Sequence, residues 1–325
     1  MKILVTGAGG FIGSHVCERL VAQGHNVKGF FHYNSAGQLG HLEQSHIKQE
    51  IDVHMGDVRD FDSVYRAMGD VDAVLHLAAL IGIPYSYDSP KAYIDTNING
   101  TYNVLEAARI FDTQRVILTS TSETYGTAQY VPIDEKHPIN PQSPYAATKA
   151  GADALGLSYH KSFGTPVTIL RPFNTYGPRQ SARAIIPTIM TQLLAGQRTI
   201  KLGNLSATRD LNFVEDTAEA FLAVLNCEAA IGQSLNAGSN FEVSIGDLAQ
   251  AIIAQATLPY AVDIAVDQTR LRPQNSEVER LWASAEQLHQ LTGWSPAYTL
   301  PEGLRRTYEW LGNHLSAYKP GQYMK

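Results

Sequence analysis

A chain of 325 residues, 44% hydrophobic and 17% charged, carries enough apolar material for one large core or two lobes. No run of about 18 apolar residues occurs, which argues against a transmembrane helix, and a net charge of −6 argues against a general nucleic-acid or anionic-membrane surface. Two cysteines, Cys17 and Cys227, cannot make a disulfide framework, so free thiols and a reducing cytoplasm are expected.

The chain opens on an apolar run too short for a signal-peptide core, and Lys2–Thr6 reads as a first strand. Phe11–Ala22 reads as a helix, with Ile12, Val16 and Leu20 on one face. Strands follow at Asn26–Phe31, Asp52–Met55 and Val71–Leu77. A long helix is expected over Ile94–Phe111, a fifth strand over Arg115–Ser120, a helix over Tyr145–Phe163 and a sixth strand over Pro166–Leu170. Such alternation predicts an α/β fold: a Rossmann-type doubly wound parallel sheet with helices on both faces. After Arg171 the pattern loosens, with helices expected at Ala184–Ala195, Val214–Leu225, Ile245–Ala256 and Leu300–Leu311. Ser244 and Asp247 resemble a capping box for the third of these. The expected division is a dinucleotide-binding domain over 1–172 and a smaller, less regular substrate lobe over 173–325, with part of 208–240 returning to the sheet. A ligand is expected in the cleft between them.

"TGAGGFIG" places Gly7, Gly10 and Gly13 at spacing three, after a strand and at the start of a helix. Glycine there permits a tight turn and lets backbone approach a pyrophosphate, and the helix N-terminus of Phe11 and Ile12 supplies amide donors. The second strand ends in "FFHYNS", without the acid that holds the ribose of NAD and without an arginine for the phosphate of NADP. His32 and Asn34 could serve either; NAD is expected because no fixed cation is present. Asp57, beside Val58, could accept a hydrogen bond from adenine. No spacing suited to a metal ion occurs. Tyr145 and Lys149 in "YAATK" are four apart on one helical face, where a cation lowers the pKa of a phenol.

The glycine pattern, "HLAA" at His76–Ala79, the hydroxyl-rich end of the fifth strand and Tyr-x-x-x-Lys together resemble the extended short-chain dehydrogenase/reductase family over nearly the whole chain. "RPFNTYGPR" and "RDLNFVED" resemble its nucleotide-sugar enzymes. The resemblance implies that Thr121 orients a sugar 4-hydroxyl, that Tyr145 takes its proton, and that Lys149 holds the nicotinamide ribose and tunes Tyr145. It also implies that Leu77, Ala78 and Ala79 line the cofactor. His76 is expected to pack beneath the cofactor loop. The family commonly dimerises through the helices that begin near Ile94 and Tyr145, where Ala146, Ala150 and Ala154 would let a partner helix approach; a homodimer is expected.

Related epimerases usually carry a small uncharged residue where this chain has Glu123. A 4-ketone acidifies the neighbouring C5 proton, and a carboxylate held on a rigid strand end can remove it while the C6 hydroxyl leaves as water. Many sugar dehydratases place an aspartate before that glutamate; here it is Ser122, which either positions a water or leaves Glu123 to return the proton. Longer stretches, including "RPFNTYGPRQSARAIIPT" and "RLRPQNSEVERLW", resemble bacterial NDP-N-acetylglucosamine 4,6-dehydratases of the legionaminic-acid type, which act in cell-surface polysaccharide biosynthesis. This implies a lyase acting on UDP- or GDP-N-acetylglucosamine. Asn174, Arg179, Arg209 and Arg272 are candidates for the diphosphate, and Ile83 and Tyr85 for the sugar. The rival readings are an NDP-uronate decarboxylase, a nucleotide-sugar 4-epimerase and, outside catalysis, a cofactor-sensing binding protein.

Overall fold

The computed structural model describes residues 1–323. In chain order its elements are β1 (Lys2–Thr6), α1 (Phe11–Ala22), β2 (Asn26–His32), β3 (Asp52–Gly56), α2 (Phe61–Met68), β4 (Ala73–His76), α3 (Ile83–Asp88), α4 (Pro90–Tyr93), α5 (Gly100–Ile110), β5 (Arg115–Thr119), α6 (Pro144–Phe163) and β6 (Val167–Pro172). The second half adds β7 (Asn174–Tyr176), α7 (Ile185–Leu194), β8 (Thr199–Leu202), β9 (Thr208–Phe213), α8 (Val214–Leu225), β10 (Ser234–Ala237), β11 (Glu242–Ser244), α9 (Ile245–Gln255), β12 (Asp263–Val266), α10 (Glu286–Thr292) and α11 (Leu300–His314).

Seven parallel strands form one sheet in the order β3-β2-β1-β4-β5-β6-β10. Their side chains alternate between two cores, as burial on both faces of a parallel sheet requires. Ile3, Val5 and Leu75 pack with Val16 and Leu20 of α1 and Phe221 of α8. Leu4, Val74 and Val116 pack on the opposite face with Val64 of α2 and Val104 of α5. The strand order reverses between β1 and β4, and in such sheets the ligand crevice opens at that point, beyond the strand C-termini.

The remaining strands stand apart. β11, β9 and β7 form a three-stranded sheet, β12 pairs with β8, and α7, α9 and α11 close a separate core around Ile189, Met190, Leu248 and Leu311. β10 and α8 lie with the large sheet although they follow this lobe's first strands in the chain. Among the described residues no helix is long and apolar enough to cross a membrane, and both cysteines are free thiols.

Local chemistry sets the helices that matter most. α6 starts where the Ser143 hydroxyl accepts the Ala146 amide at 3.1 Å, with Pro144 at its first position. It stops at Gly164, which takes the left-handed conformation. Between α4 and α5 the chain stays helical but widens to a π-helical turn over Ile94–Asn99, a distortion common beside functional sites. Asn97 in that turn accepts the Leu80 amide at 2.9 Å and donates to Leu80 O and to Thr148 Oγ1 of α6, each at 3.0 Å. The loop after β4 is thereby locked to the helix that carries Tyr145.

Candidate active site

The dinucleotide cradle is built from close backbone. A Cβ on Gly13 would lie 2.2 Å from the Gly7 carbonyl oxygen, and one on Gly7, which sits at φ 70°, would lie 2.9 Å from Ala78 N. Only glycine fits either place. No side chain caps α1 at Gly10, so the first-turn amides of Phe11, Ile12 and Gly13 remain available to an anion. These residues fit the pyrophosphate of a dinucleotide. Leu77 and Ala78 lie over Gly7, with both amides held by Thr6 Oγ1 at 3.1 Å, and Ala79 follows them into the loop that Asn97 fixes. His76 is buried between Thr6 and Thr101. Burial, with the Lys149 charge adding to it, pushes its imidazole down to about 3, so it is a neutral packing element.

At the adenosine end the polar candidates are less free than their types suggest. Asn34 closes its own loop, accepting the Gln38 amide at 2.9 Å and donating to Gln38 O at 3.0 Å. Asp57 is gripped by Arg59 at 3.0 Å through Nε, which holds its carboxyl below the usual range. His32 is exposed, with Nε2 3.7 Å from Asp57 Oδ2. Val58 is buried and its carbonyl accepts from Asn103.

The hydroxyl-rich segment leaves the end of β5 as a single 3₁₀ turn, Ser122–Tyr125, capped by Thr121, whose hydroxyl accepts the Glu123 amide at 3.3 Å. The Thr121 hydroxyl also lies near the hydroxyl of Tyr145 and favours its ionised form. Ser122 and Glu123 are buried, Glu123 at 7% exposure. The Glu123 charge reaches both Tyr145 and Arg209, yet among the described residues nothing hydrogen-bonds its carboxylate. The structure therefore gathers Thr121, Glu123 and Tyr145 in one place. Burial pushes the Tyr145 phenol well above its ordinary value; the Thr121 hydroxyl opposes this and the Glu123 charge adds to it. Lys149, one turn further along α6, is buried too, and loss of water lowers its ammonium to about 8 against the support of Asp153.

Ile83 packs in a small cluster with Tyr93 and Tyr145, and Tyr85 stands exposed beside it. Tyr93 meets the Tyr145 ring edge-on with centroids 6.3 Å apart; nothing in its sequence context distinguishes it from an ordinary core aromatic. Arg183, within the quoted "RQSARAIIPT", also faces this corner. Its Nη1 lies 3.1 Å from where a Cβ on Gly82 would stand, and its charge acts on Tyr93.

The remaining cations divide. Arg209 on β9 is buried and donates to Glu277 at 3.3 Å, and Arg272 lies 3.8 Å from the same oxygen with Nη1 lacking any hydrogen-bond partner. Burial lowers the pKa of Arg209, with the Glu123 and Glu277 charges opposing that effect. Asn174 shares a face with Arg209 through the β7–β9 register, and its Oδ1 is likewise buried and unpaired. Buried polar atoms without partners are rare and mark places where a ligand's groups can dock. Arg179 does not join them. Its guanidinium is taken by Glu18 at 2.7 and 3.1 Å and by Ser14 at 3.1 Å, which straps the loop after β7 onto α1. A carboxylate within fork reach outcompetes a more distant site. Ala146 is buried inside the chain's own fold and only Ala154 of the small-residue stripe is exposed, so that stripe offers no continuous face.

Comparison with known proteins agrees with this architecture. Residues 4–307 match the family model described as GDP-mannose 4,6 dehydratase. The UDP-glucose 4-epimerase of Mycolicibacterium smegmatis is 32% identical over 96% of this chain and 99% of its own length. The dTDP-D-glucose 4,6-dehydratase of Homo sapiens is 31% identical over 98% and 92%. Among solved structures, UDP-glucuronic acid 4-epimerase from Bacillus cereus, in complex with UDP-glucuronic acid and NAD, superposes with a TM-score of 0.87 at 29% identity, covering 97% of this chain and 100% of that one. With its seven-stranded parallel sheet, its glycine cradle and its Thr121–Tyr145 pair, the chain belongs to the GDP-mannose 4,6 dehydratase family, among the nucleotide-sugar dehydratases and epimerases of the extended short-chain dehydrogenase/reductase fold.

Proposed function

We propose that this chain is a nucleotide-sugar 4,6-dehydratase that acts on UDP- or GDP-N-acetylglucosamine with NAD. One observation carries the reading: a buried carboxylate, Glu123, stands in the 3₁₀ turn that follows β5, within electrostatic reach of Tyr145 and without a hydrogen-bond partner of its own among the described residues. An epimerase has no task for such a group. A dehydratase needs it to take the C5 proton.

Tyr145, beside Thr121, removes the proton of the sugar 4-hydroxyl as C4 becomes a ketone. The Lys149 ammonium stabilises the phenolate. A dinucleotide held on the Gly7–Gly13 cradle and the start of α1 would supply a nicotinamide as hydride acceptor for C4 and hydride donor for C6. Glu123 takes the C5 proton, the C6–O bond breaks, and the departing hydroxide leaves as water after receiving a proton; Glu123 itself can return one, because Ser122 is a poor acid. After hydride reaches C6, C5 takes a proton from solvent by way of Glu123, and Tyr145 releases the 4-hydroxyl proton to solvent, so both groups return to their starting state. The sum is loss of one water and a 4-keto-6-deoxy product, with the cofactor unchanged. Arg209, Arg272 and Asn174 are suited to the diphosphate. Removal of water from the site strengthens each of these interactions.

Arg183 favours a second reading. A cation beside Tyr93 suits a C6 carboxylate, as in an NDP-uronate decarboxylase or epimerase. The Glu123 charge weighs against it, since like charges repel in a dry site. Incubation of the purified protein with UDP- and GDP-N-acetylglucosamine and with UDP-glucuronate, followed by mass spectrometry, tests both. Loss of water from an N-acetylglucosamine nucleotide supports the proposal; loss of carbon dioxide from the uronate, or unchanged masses throughout, overturns it.

The protein also works as a homodimer in this reading. Exposed Ile94, Tyr102 and Ile110 on the π-helical turn and α5, with Phe163 at the end of α6, offer an apolar face. Light scattering that returned the mass of one chain would refute this.

A further inference from the structure

Behind the reacting groups lies a buried polar array that the mechanism leaves unused. Asp153, one turn beyond Lys149 on α6, accepts from Ser120 Oγ at 2.7 Å and from Arg171 Nε and Nη2 at 3.1 and 3.0 Å. Arg171, on β6, uses its other branch to donate from Nη1 to Tyr125 Oη at 2.9 Å, and its guanidinium sits 5.1 Å from the centre of that ring. Tyr125 donates in turn to Asn236 Oδ1 at 2.8 Å, and the Asn236 amide, on edge strand β10, is met by Glu135 Oε1 at 2.8 Å. Ser120, Tyr125, Asp153, Arg171 and Asn236 are all at most 5% exposed. A buried guanidinium and carboxylate bring a desolvation cost that hydrophobic side chains of similar volume would avoid, so the array calls for a role beyond packing.

Its connectivity supplies one. Tyr125 is the last residue of the four-residue 3₁₀ turn that holds Ser122 and Glu123, and its ring is seated in a small core with Ile133, Phe173, Val278 and Leu281. Asp153 belongs to the helix that holds Tyr145 and Lys149. Ser120 immediately precedes Thr121. Arg171 touches both ends, Asp153 on α6 and Tyr125 on the turn. We propose that Arg171, clamped between Asp153 and Tyr125, is a positioning residue that fixes the Glu123 turn in register with Tyr145, so that C4 oxidation and C5 deprotonation act on one bound sugar without the ring moving. The inference rests on Glu123 being the C5 base.

Replacement of Arg171 would take from Asp153 both hydrogen bonds of its guanidinium partner and endanger folding, so the test uses Tyr125→Phe. This removes one hydroxyl and leaves the ring, its core and the Asp153–Arg171 pair in place. A misplacement of about 1 Å can cost 10²-fold in rate. Exchange of C5 hydrogen with solvent deuterium should therefore fall by about tenfold to a hundredfold, while C4 oxidation, read from cofactor absorbance after mixing with substrate, continues at close to its original rate and KM is unchanged. Amide hydrogen exchange by mass spectrometry should show lost protection confined to the peptide spanning 120–126. Equal C5 exchange in variant and wild type, or a parallel loss of both steps with general loss of protection, overturns the proposal. Wild-type protein run beside it separates the two ideas: if it shows no C5 exchange, the dehydratase reading falls and this inference with it. If the wild type exchanges and Tyr125→Phe exchanges as fast, only the positioning role is wrong.

Discussion

Glu123→Gln removes a charge and keeps a shape, and the structure fixes what should follow. The carboxylate has no hydrogen bond to lose, and Arg209 keeps its contact with Glu277, so stability should change by no more than about 1 kcal/mol. Chemistry should change far more. A positioned general base contributes about 10²–10⁴-fold, and at about 1.4 kcal/mol per decade its loss raises the barrier by about 3–5 kcal/mol. The sign for the first half-reaction is opposite. The Glu123 charge helps to hold the Tyr145 proton on, so the neutral amide should leave C4 oxidation intact or faster. The assay follows C5 deuterium uptake by nuclear magnetic resonance in heavy water, with cofactor absorbance read in parallel. The expected outcome is lost C5 exchange with preserved cofactor reduction. C5 exchange at the wild-type rate would remove Glu123 from the role of base.

Tyr145→Phe should abolish both steps, because the phenol is the group that Thr121 presents to the 4-hydroxyl; retained cofactor reduction on substrate addition would contradict that assignment. Lys149 carries its charge below about 8 and loses it above, so kcat/KM should fall as pH rises through about 8. Gly13→Ala puts a methyl 2.2 Å from the Gly7 carbonyl, and should lower both the melting temperature and the dinucleotide retained through gel filtration. Arg272→Ala should raise KM by about tenfold or more, the loss of one charge-assisted contact, and leave kcat nearly unchanged because the diphosphate is remote from C4 and C5.

Much of the fold was legible because parallel strands buried on both faces read as continuous apolar runs and long helices show their period. β1, β5, β6, α1 and α6 lie within a residue or two of the predicted bounds. Short elements were not. α2 spans only Phe61–Met68, too few turns for a clear period, although Asp60 caps it by accepting the Asp62 amide. α3 is hidden by Pro84 and tyrosines, and the π-helical turn around Asn97 follows from contacts with Leu80 and Thr148, which lie far off in sequence or across a loop.

The site shows the same division. Residues that meet through one helix face or one strand end, such as Thr121, Glu123, Tyr145 and Lys149, were readable as a group. Arg179 and Arg183 were not, because a guanidinium goes to whichever acid the fold brings within reach: Arg179 was taken by Glu18, while Arg183 reached the Tyr93 corner instead. The Asp153–Arg171–Tyr125 array joins α6, β6 and a 3₁₀ turn, and only the folded sheet brings its members together.

The most direct test of the central claim is to let the wild-type protein act on UDP- or GDP-N-acetylglucosamine in heavy water and weigh the sugar nucleotide that forms. The expected product has lost one water and carries one solvent deuterium, at C5. A product of unchanged composition, or a dehydrated one with no deuterium at C5, would contradict the account.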